Sequence, residues 1–131
     1  MNSTLQNLTQ LFEQKRFQAI VDYIEPLNIS PESDPESANV VAAAFFQMSK
    51  FQECNHWCES LVSTLGTDPG FISMYGAVLR RFNRFDEAEK LFRQGLDSHP
   101  DNQALQNNFA NLVPMVYGLH QGIPTIRWLY Y

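Results

Sequence analysis

Residues 69–102 read PGFISMYGAVLRRFNRFDEAEKLFRQGLDSHPDN, and their apolar and small side chains recur at helical spacing. The first half carries Ile72, Gly76 and Leu79 at steps of three and four residues, and the second half carries Ala88 and Phe92 four residues apart. A polar corner that contains an asparagine and an arginine separates the two halves. This stretch therefore predicts two short α-helices folded back on each other.

The same pattern recurs along the chain at an interval of 34 residues. Asp34 and Asp68 are each followed by a proline, and an N-cap residue before a proline at the first helical position is a common helix start. Two series share the interval, namely the aromatic residues Phe17, Phe51 and Phe85 and the helix-start residues Asp34, Asp68 and Asn102. The interval therefore divides most of the chain into equivalent units.

Three helix-turn-helix units are predicted, at residues 1–34, 35–68 and 69–102. A further helix is predicted over residues 103–118, where it would cap the third unit. The last residues, 119–131, leave the repeat and are rich in tryptophan, tyrosine, isoleucine and leucine. A terminal cap usually has a polar outer face, so this apolar and aromatic tail is unusual for the end of a repeat array.

The third unit resembles the tetratricopeptide repeat, whose pattern is W-x2-L-G-x2-Y, then A-x3-F, then P. The residues that match this pattern are Gly76, Ala88, Phe92 and Pro100. Ile72, Tyr75 and Leu79 replace the family's tryptophan, leucine and tyrosine with other apolar side chains. The resemblance covers the three units and is clearest in the third. It implies an all-α solenoid of about three repeats followed by a capping helix.

Composition and charge exclude several classes of protein. A chain of 131 residues with 44% hydrophobic side chains is long enough to fold as one domain, and its net charge of -5 argues against binding nucleic acid. No apolar run approaches the roughly 20 residues that a membrane-spanning helix needs. The first ten residues, MNSTLQNLTQ, also lack the basic and apolar regions of a secretory signal. We therefore expect a cytoplasmic protein with no membrane span.

The sequence shows no constellation typical of an active site. The three histidines fall in different parts of the repeat array, and no nucleophile elbow, phosphate loop or dinucleotide fingerprint is present. Cys54 and Cys58 lie four residues apart on one predicted helix face, which suits neither a disulfide nor a closed zinc site. We expect both thiols to be small buried groups. The sequence predicts a protein that is not an enzyme and holds no metal or cofactor.

In the tetratricopeptide family, the first helix of each pair lines a concave groove that binds extended peptides or helices. The resemblance therefore implies an interaction scaffold or adaptor. The partner-binding residues that this face selects are Phe12, Asn39, Phe46, Gln47, Ser73, Ala77, Arg80, Arg81, Asn107 and Asn111, and the same projection includes Leu5, Thr9, Glu13, Ala43 and Met115. Amide groups there can bind a peptide backbone and the arginines a carboxylate, which favours an acidic protein or peptide partner. The alternative is a solvated face with its two aromatic side chains packed inward.

Two other roles stay open at this point. Repeats of this family are often joined to catalytic domains, so the chain is also a candidate for an accessory or substrate-recruiting module of a larger enzyme. The apolar tail at residues 119–131 is a candidate for self-association into a homo-oligomer, or for occupation of the groove.

Overall fold

The computed structural model describes residues 3–117, with side chains described as far as residue 112. This part of the chain is entirely helical and contains no strand. Its helices are α1 (Ser3–Glu13), α2 (Phe17–Ile24), α3 (Pro35–Gln47), α4 (Phe51–Leu65), α5 (Pro69–Arg81), α6 (Phe85–Ser98) and α7 (Gln103–Tyr117), with a 3-10 turn at Glu25–Leu27 after α2. The predicted all-α helical repeat fold is confirmed.

The helices form two compact units, which we call unit 1 (residues 1–65) and unit 2 (residues 66–131). In unit 1, α3 is the central helix and packs against α1, α2 and α4. In unit 2, α5, α6 and α7 pack against one another. Each predicted repeat therefore contributes one antiparallel pair, α1 with α2, α3 with α4 and α5 with α6. The predicted tail at residues 119–131 lies outside the described residues.

The first helix of the second and third repeats, and the helix that follows them, begin in the same way. Asp34, Asp68 and Asn102 each accept a hydrogen bond from the backbone N–H three residues further on, over 3.2, 2.9 and 3.0 Å. These side chains satisfy N–H groups that have no partner within the helix. The three helix starts predicted from the 34-residue interval are thus real N-caps.

The turn inside each helix pair also repeats with an interval of 34 residues. Lys15, Ser49 and Asn83 adopt left-handed backbone conformations, with φ of 59°, 61° and 59°. In each case the N–H of this residue donates to the carbonyl three residues back, and the next N–H donates to the carbonyl five residues before it. This is the Schellman arrangement that ends many helices. The 34-residue interval therefore recurs in the backbone hydrogen bonds as well as in the side chains.

We expect Ser49→Gly to stabilise unit 1, because a left-handed conformation costs an L-residue roughly 1–2 kcal/mol that glycine avoids. Part of that gain is lost because glycine makes the unfolded chain more flexible. The matched control is Ser60→Gly in the interior of α4, where glycine is unfavourable. Thermal unfolding followed by circular dichroism should show a higher midpoint for the first variant and a lower one for the second. Equal shifts in the same direction would contradict the prediction.

Close helix packing in unit 2 depends on two glycines. A Cβ atom built on Gly76 of α5 would lie 2.2 Å from Cζ of Phe92 on α6, which means that the aromatic ring sits directly on the glycine. A Cβ atom built on Gly95 of α6 would lie 2.6 Å from Cδ1 of Ile72 on α5. Real Cβ atoms essentially never come this close to another heavy atom. Each glycine therefore leaves the space that a large side chain of the opposite helix occupies.

A hydrogen bond also links the beginning of the third repeat to its end. Nε2 of His99, at the C-terminus of α6, lies 2.8 Å from the carbonyl oxygen of Thr67, which precedes α5. Since a carbonyl can only accept, the ring donates its Nε2 proton in this contact. The hydrogen bond joins the segment before the first helix of the repeat to the end of its second helix.

Candidate interaction surface

The predicted partner-binding residues lie on α1 and α3 in unit 1 and on α5 and α7 in unit 2, and we call the side of each unit that carries them the first-helix face of that unit. In unit 1 it contains a cleft of about 280 Å³ between α1 and α3. The residues that line this cleft are Thr9, Phe12, Glu13, Asn39, Val40 and Ala43. The structure thus brings two of the predicted binding residues, Phe12 and Asn39, to one cavity. We refer to it below as the α1–α3 cleft.

Aromatic side chains at the ends of α1 and α3 are held by the helices that follow. The ring of Phe12 packs edge-on against Phe17 at a centroid distance of 5.1 Å, and Phe46 packs in the same way against Phe51 at 5.5 Å. Both predicted residues are half-buried. Edge-to-face contacts fix the orientation of a ring and add roughly 0.5–1.5 kcal/mol to its burial. Phe12 therefore presents a rigid apolar wall to the cleft.

Asn39 is the polar group that stands out in the α1–α3 cleft. Its Oδ1 atom is buried and has no hydrogen-bond partner in the part of the chain that the structure describes. A buried polar atom without a partner costs about 1–3 kcal/mol, and most such atoms in proteins are satisfied. Asn39 also lines the cleft, so one wall of the cleft carries a polar group whose oxygen has no partner among the described residues.

In unit 2 the predicted residues lie on α5 and α7, which pack against each other. Ser73, Ala77 and Arg80 are half-buried, and Arg81 is exposed. Nε of Arg80 is buried and has no hydrogen-bond partner within the described residues. The other two predicted residues, on α7, are Asn107 and Asn111, and both are exposed. Unit 2 thus carries its own set of polar groups on the first-helix face.

One of these amides is already engaged. Oδ1 of Asn107 accepts a hydrogen bond from Nε2 of Gln103, one turn earlier on α7, over 3.0 Å. Gln47, at the end of α3, is exposed but does not line the α1–α3 cleft. Val40 lines the cleft although the projection from sequence did not select it. Its position beside Asn39 on an apolar helix was the only signal that could have revealed it.

The charges of the first-helix face differ between the two units. Glu13, Gln47 and Arg81 occupy equivalent positions in successive repeats, so this position changes from acidic to neutral to basic along the chain. Unit 1 carries eight Asp or Glu residues and three Lys or Arg residues, whereas unit 2 carries six of each. The net charge of -5 therefore belongs to unit 1.

Two arginines, one directly before α6 and one on it, have ion-pair partners. Arg84 forms a two-pronged ion pair with Glu87, with distances of 2.6 and 2.8 Å. The hydrogen bond from Arg84 lowers the pKa of the Glu87 carboxyl. Arg93 pairs with Glu89 over 3.0 Å and also lies over the ring of Phe109, 4.9 Å from its centroid. These arginines are committed to contacts within unit 2.

The two cysteines are buried on α4, with their Sγ atoms 3.9 Å apart. The hydrogen bond with Cys54 and burial both raise the pKa of the Cys58 thiol. A thiol with a raised pKa is a poor nucleophile and a poor metal ligand, since both roles need the thiolate. Among the residues that the structure describes, no group of three or more His, Cys, Asp or Glu side chains is placed to hold a metal ion. Over the same residues, no helix is both long and apolar enough to cross a membrane.

Comparison with known proteins gives one informative match. No family model matches the chain. A human protein named protein O-mannosyl-transferase TMTC2 is 34% identical over 105 residues, which cover 76% of this chain. The chain spans 12% of the length of that relative. The matched length is close to that of three 34-residue repeats.

Proposed function

We propose that this chain is a protein-interaction module of the tetratricopeptide type, which binds a peptide segment or a partner helix on its first-helix face. The observation that carries this proposal is the α1–α3 cleft, which is lined by Phe12 and by Asn39, whose buried Oδ1 has no hydrogen-bond partner within the described part of the chain. Ligand sites are typically apolar cavities with a few well-placed polar groups. The similarity to TMTC2 over the length of three repeats supports a shared repeat region.

The first-helix face of unit 2 has a different chemistry. Arg80 and Arg81 lie at the C-terminal end of α5, where Arg81 is exposed. A guanidinium group binds carboxylates through paired hydrogen bonds. Part of the partner that contacts unit 2 is therefore acidic under this proposal.

A second candidate function is recruitment of a partner or substrate for a larger enzyme. It is favoured by the name of the human relative, a transferase of which this chain spans 12%. Under this proposal the repeats bind the partner or substrate and another part of the enzyme catalyses the reaction. It agrees with the expectation from sequence that the chain is not itself an enzyme. The cytoplasmic location and the role of residues 119–131 in self-association stay predictions from sequence.

Peptides selected from a display library against the full chain provide the direct test. We expect Phe12→Ala or Arg81→Glu to weaken binding of a selected peptide by about tenfold, which corresponds to roughly 1.4 kcal/mol. Fluorescence anisotropy with the labelled peptide measures the dissociation constant. Lys90→Glu is the matched control for Arg81→Glu, because Lys90 is also exposed but lies on α6, away from the first-helix face.

Two results would contradict the proposal. The library could yield no peptide that binds the folded chain, or the selected peptides could bind equally well to both first-helix variants. A loss of affinity in Lys90→Glu as large as that in Arg81→Glu would assign the effect to net charge instead of to this face.

A further inference from the structure

We infer that the α1–α3 cleft selects a ligand segment in which one apolar side chain is flanked by lysine or arginine. This inference rests on the proposed function and gives the ligand of unit 1 a chemistry opposite to the acidic segment expected for unit 2.

The size and walls of the α1–α3 cleft can accommodate an apolar side chain. Its volume of about 280 Å³ lies just below the range of roughly 300–1,000 Å³ that is usual for drug-sized ligands. Phe12, Val40 and Ala43 provide apolar walls, and the Phe12 ring is fixed by its contact with Phe17. The cleft thus has room for an apolar anchor side chain of a longer segment.

The amide of Asn39 fits the backbone of such a segment. Asn39 lines the cleft, and its Oδ1 atom is buried without a partner among the described residues. A rotation of the side chain that exposes this atom would let it accept a backbone N–H of the ligand. With the amide turned over, the Nδ2 group would donate to a backbone carbonyl instead. Either orientation pairs Asn39 with the main chain of the ligand next to the anchor side chain. This contact depends little on the ligand's sequence.

The charge around the α1–α3 cleft favours a cationic flank. Glu13 is the charged residue among those that line the cleft, and it is exposed. Lys15 and Arg16 follow it in the turn before α2, and Lys50 lies before α4. Unit 1 contains these three cations and eight Asp or Glu residues, so its net charge is negative. An acidic segment would be repelled by Glu13 and by the unit as a whole.

Two synthetic peptides with the same glycine and serine context test the inference on the full chain. One places a leucine between two arginines, and the other places it between two glutamates. Fluorescence anisotropy at low salt should show the arginine peptide binding at least about tenfold more tightly, as expected for a flanking charge pair. Glu13→Lys should remove or reverse this preference. Glu25→Lys, an equal change of charge on the 3-10 turn, should retain most of it.

Asn39→Ala adds a readout that charge alone would not change. We expect it to weaken the arginine peptide and every other leucine-anchored peptide by a similar factor, because it removes a contact with the ligand backbone. Phe12→Ala should act in the same way. If neither Asn39→Ala nor Phe12→Ala changed the affinity, the assignment of the ligand to this cleft would be overturned.

The remaining outcomes separate this inference from the proposed function. Equal binding of the two peptides, tighter binding of the glutamate peptide, or equal effects of Glu13→Lys and Glu25→Lys would each overturn the inference. Library peptides that bind the first-helix face through the α1–α3 cleft without lysine or arginine would overturn it too, while the proposed function would stand. If no library peptide bound the chain at all, both would fail.

Discussion

Replacing Gly76 by leucine is expected to unfold unit 2 or to lower its melting temperature sharply. A Cβ atom at this position would lie 2.2, 2.7 and 2.8 Å from three carbons of the Phe92 ring, and leucine adds three further carbons in the same direction. Overpacking a core costs about 1–3 kcal/mol, occasionally more. For a domain of 60–100 residues, each kilocalorie lowers the melting temperature by roughly 4–8 °C.

Circular dichroism melts of the full chain measure this effect, and two variants sharpen it. Gly70→Ala is the matched control, because a Cβ there meets only Oδ2 of Asp68 at an ordinary 3.4 Å. Combining Gly76→Ala with Phe92→Leu shortens the side chain that blocks the new methyl group, so the pair should be more stable than Gly76→Ala alone. A Gly76→Leu variant that melted like the wild type would show that α5 and α6 do not pack through this glycine.

Much of the fold could be predicted from the sequence because it depends on local signals. Asp34 and Asp68 indicate helix starts because each is a good N-cap residue and is followed by a proline. Both side chains form the expected hydrogen bonds. The all-α fold followed from helical spacing and from one repeated interval. These features need no knowledge of which helices meet in space.

The left-handed turns could not be predicted in the same way. Lys15, Ser49 and Asn83 occupy positions where glycine is the usual residue, and two of the three side chains disfavour that conformation. The packing of the second helix against the first determines the backbone there, and the local sequence does not. Only the interval of 34 residues between these positions would have linked them.

The α1–α3 cleft was predictable only in part. The repeat register correctly placed Phe12 and Asn39 on one side of their helices, yet it gave no information about burial. Asn39 reads as a solvent-exposed amide in the sequence, whereas its Oδ1 is buried. Burial depends on how the helices pack around a residue, and interhelical distance is not encoded in a spacing pattern. Asn107, at the equivalent position of α7, keeps its amide exposed.

The second and third repeats place a large and a small side chain at the same pair of core positions, but on opposite helices of the pair. In the third repeat, Ile72 on α5 faces Gly95 on α6. The equivalent residues of the second repeat are Ala38 and Leu61, both fully buried, so the large residue has moved to the other helix. Packing density in a core is nearly constant, which makes such a compensated exchange the tolerated one.

We expect the exchange to be transferable from the second repeat to the third. Ile72→Ala alone should destabilise unit 2 by about 2–5 kcal/mol because it leaves a cavity. Gly95→Leu alone should cost about 1–3 kcal/mol from the clash with Ile72 Cδ1. The double variant should be more stable than the sum of these losses predicts, since the new leucine fills the space that Ile72 leaves. It also gains the roughly 1 kcal/mol by which glycine disfavours a helix interior.

A double-mutant cycle measured by urea unfolding determines the coupling between the two sites. Residues in direct contact typically show coupling energies of about 0.5–3 kcal/mol, and here the coupling should be favourable. Recovery should be incomplete, because Cδ1 of Leu105 on α7 also lies 3.1 Å from a Cβ atom built on Gly95. Leu105→Ala in the double background should relieve that contact. Strictly additive losses at Ile72 and Gly95 would mean that the two repeats do not share one packing register.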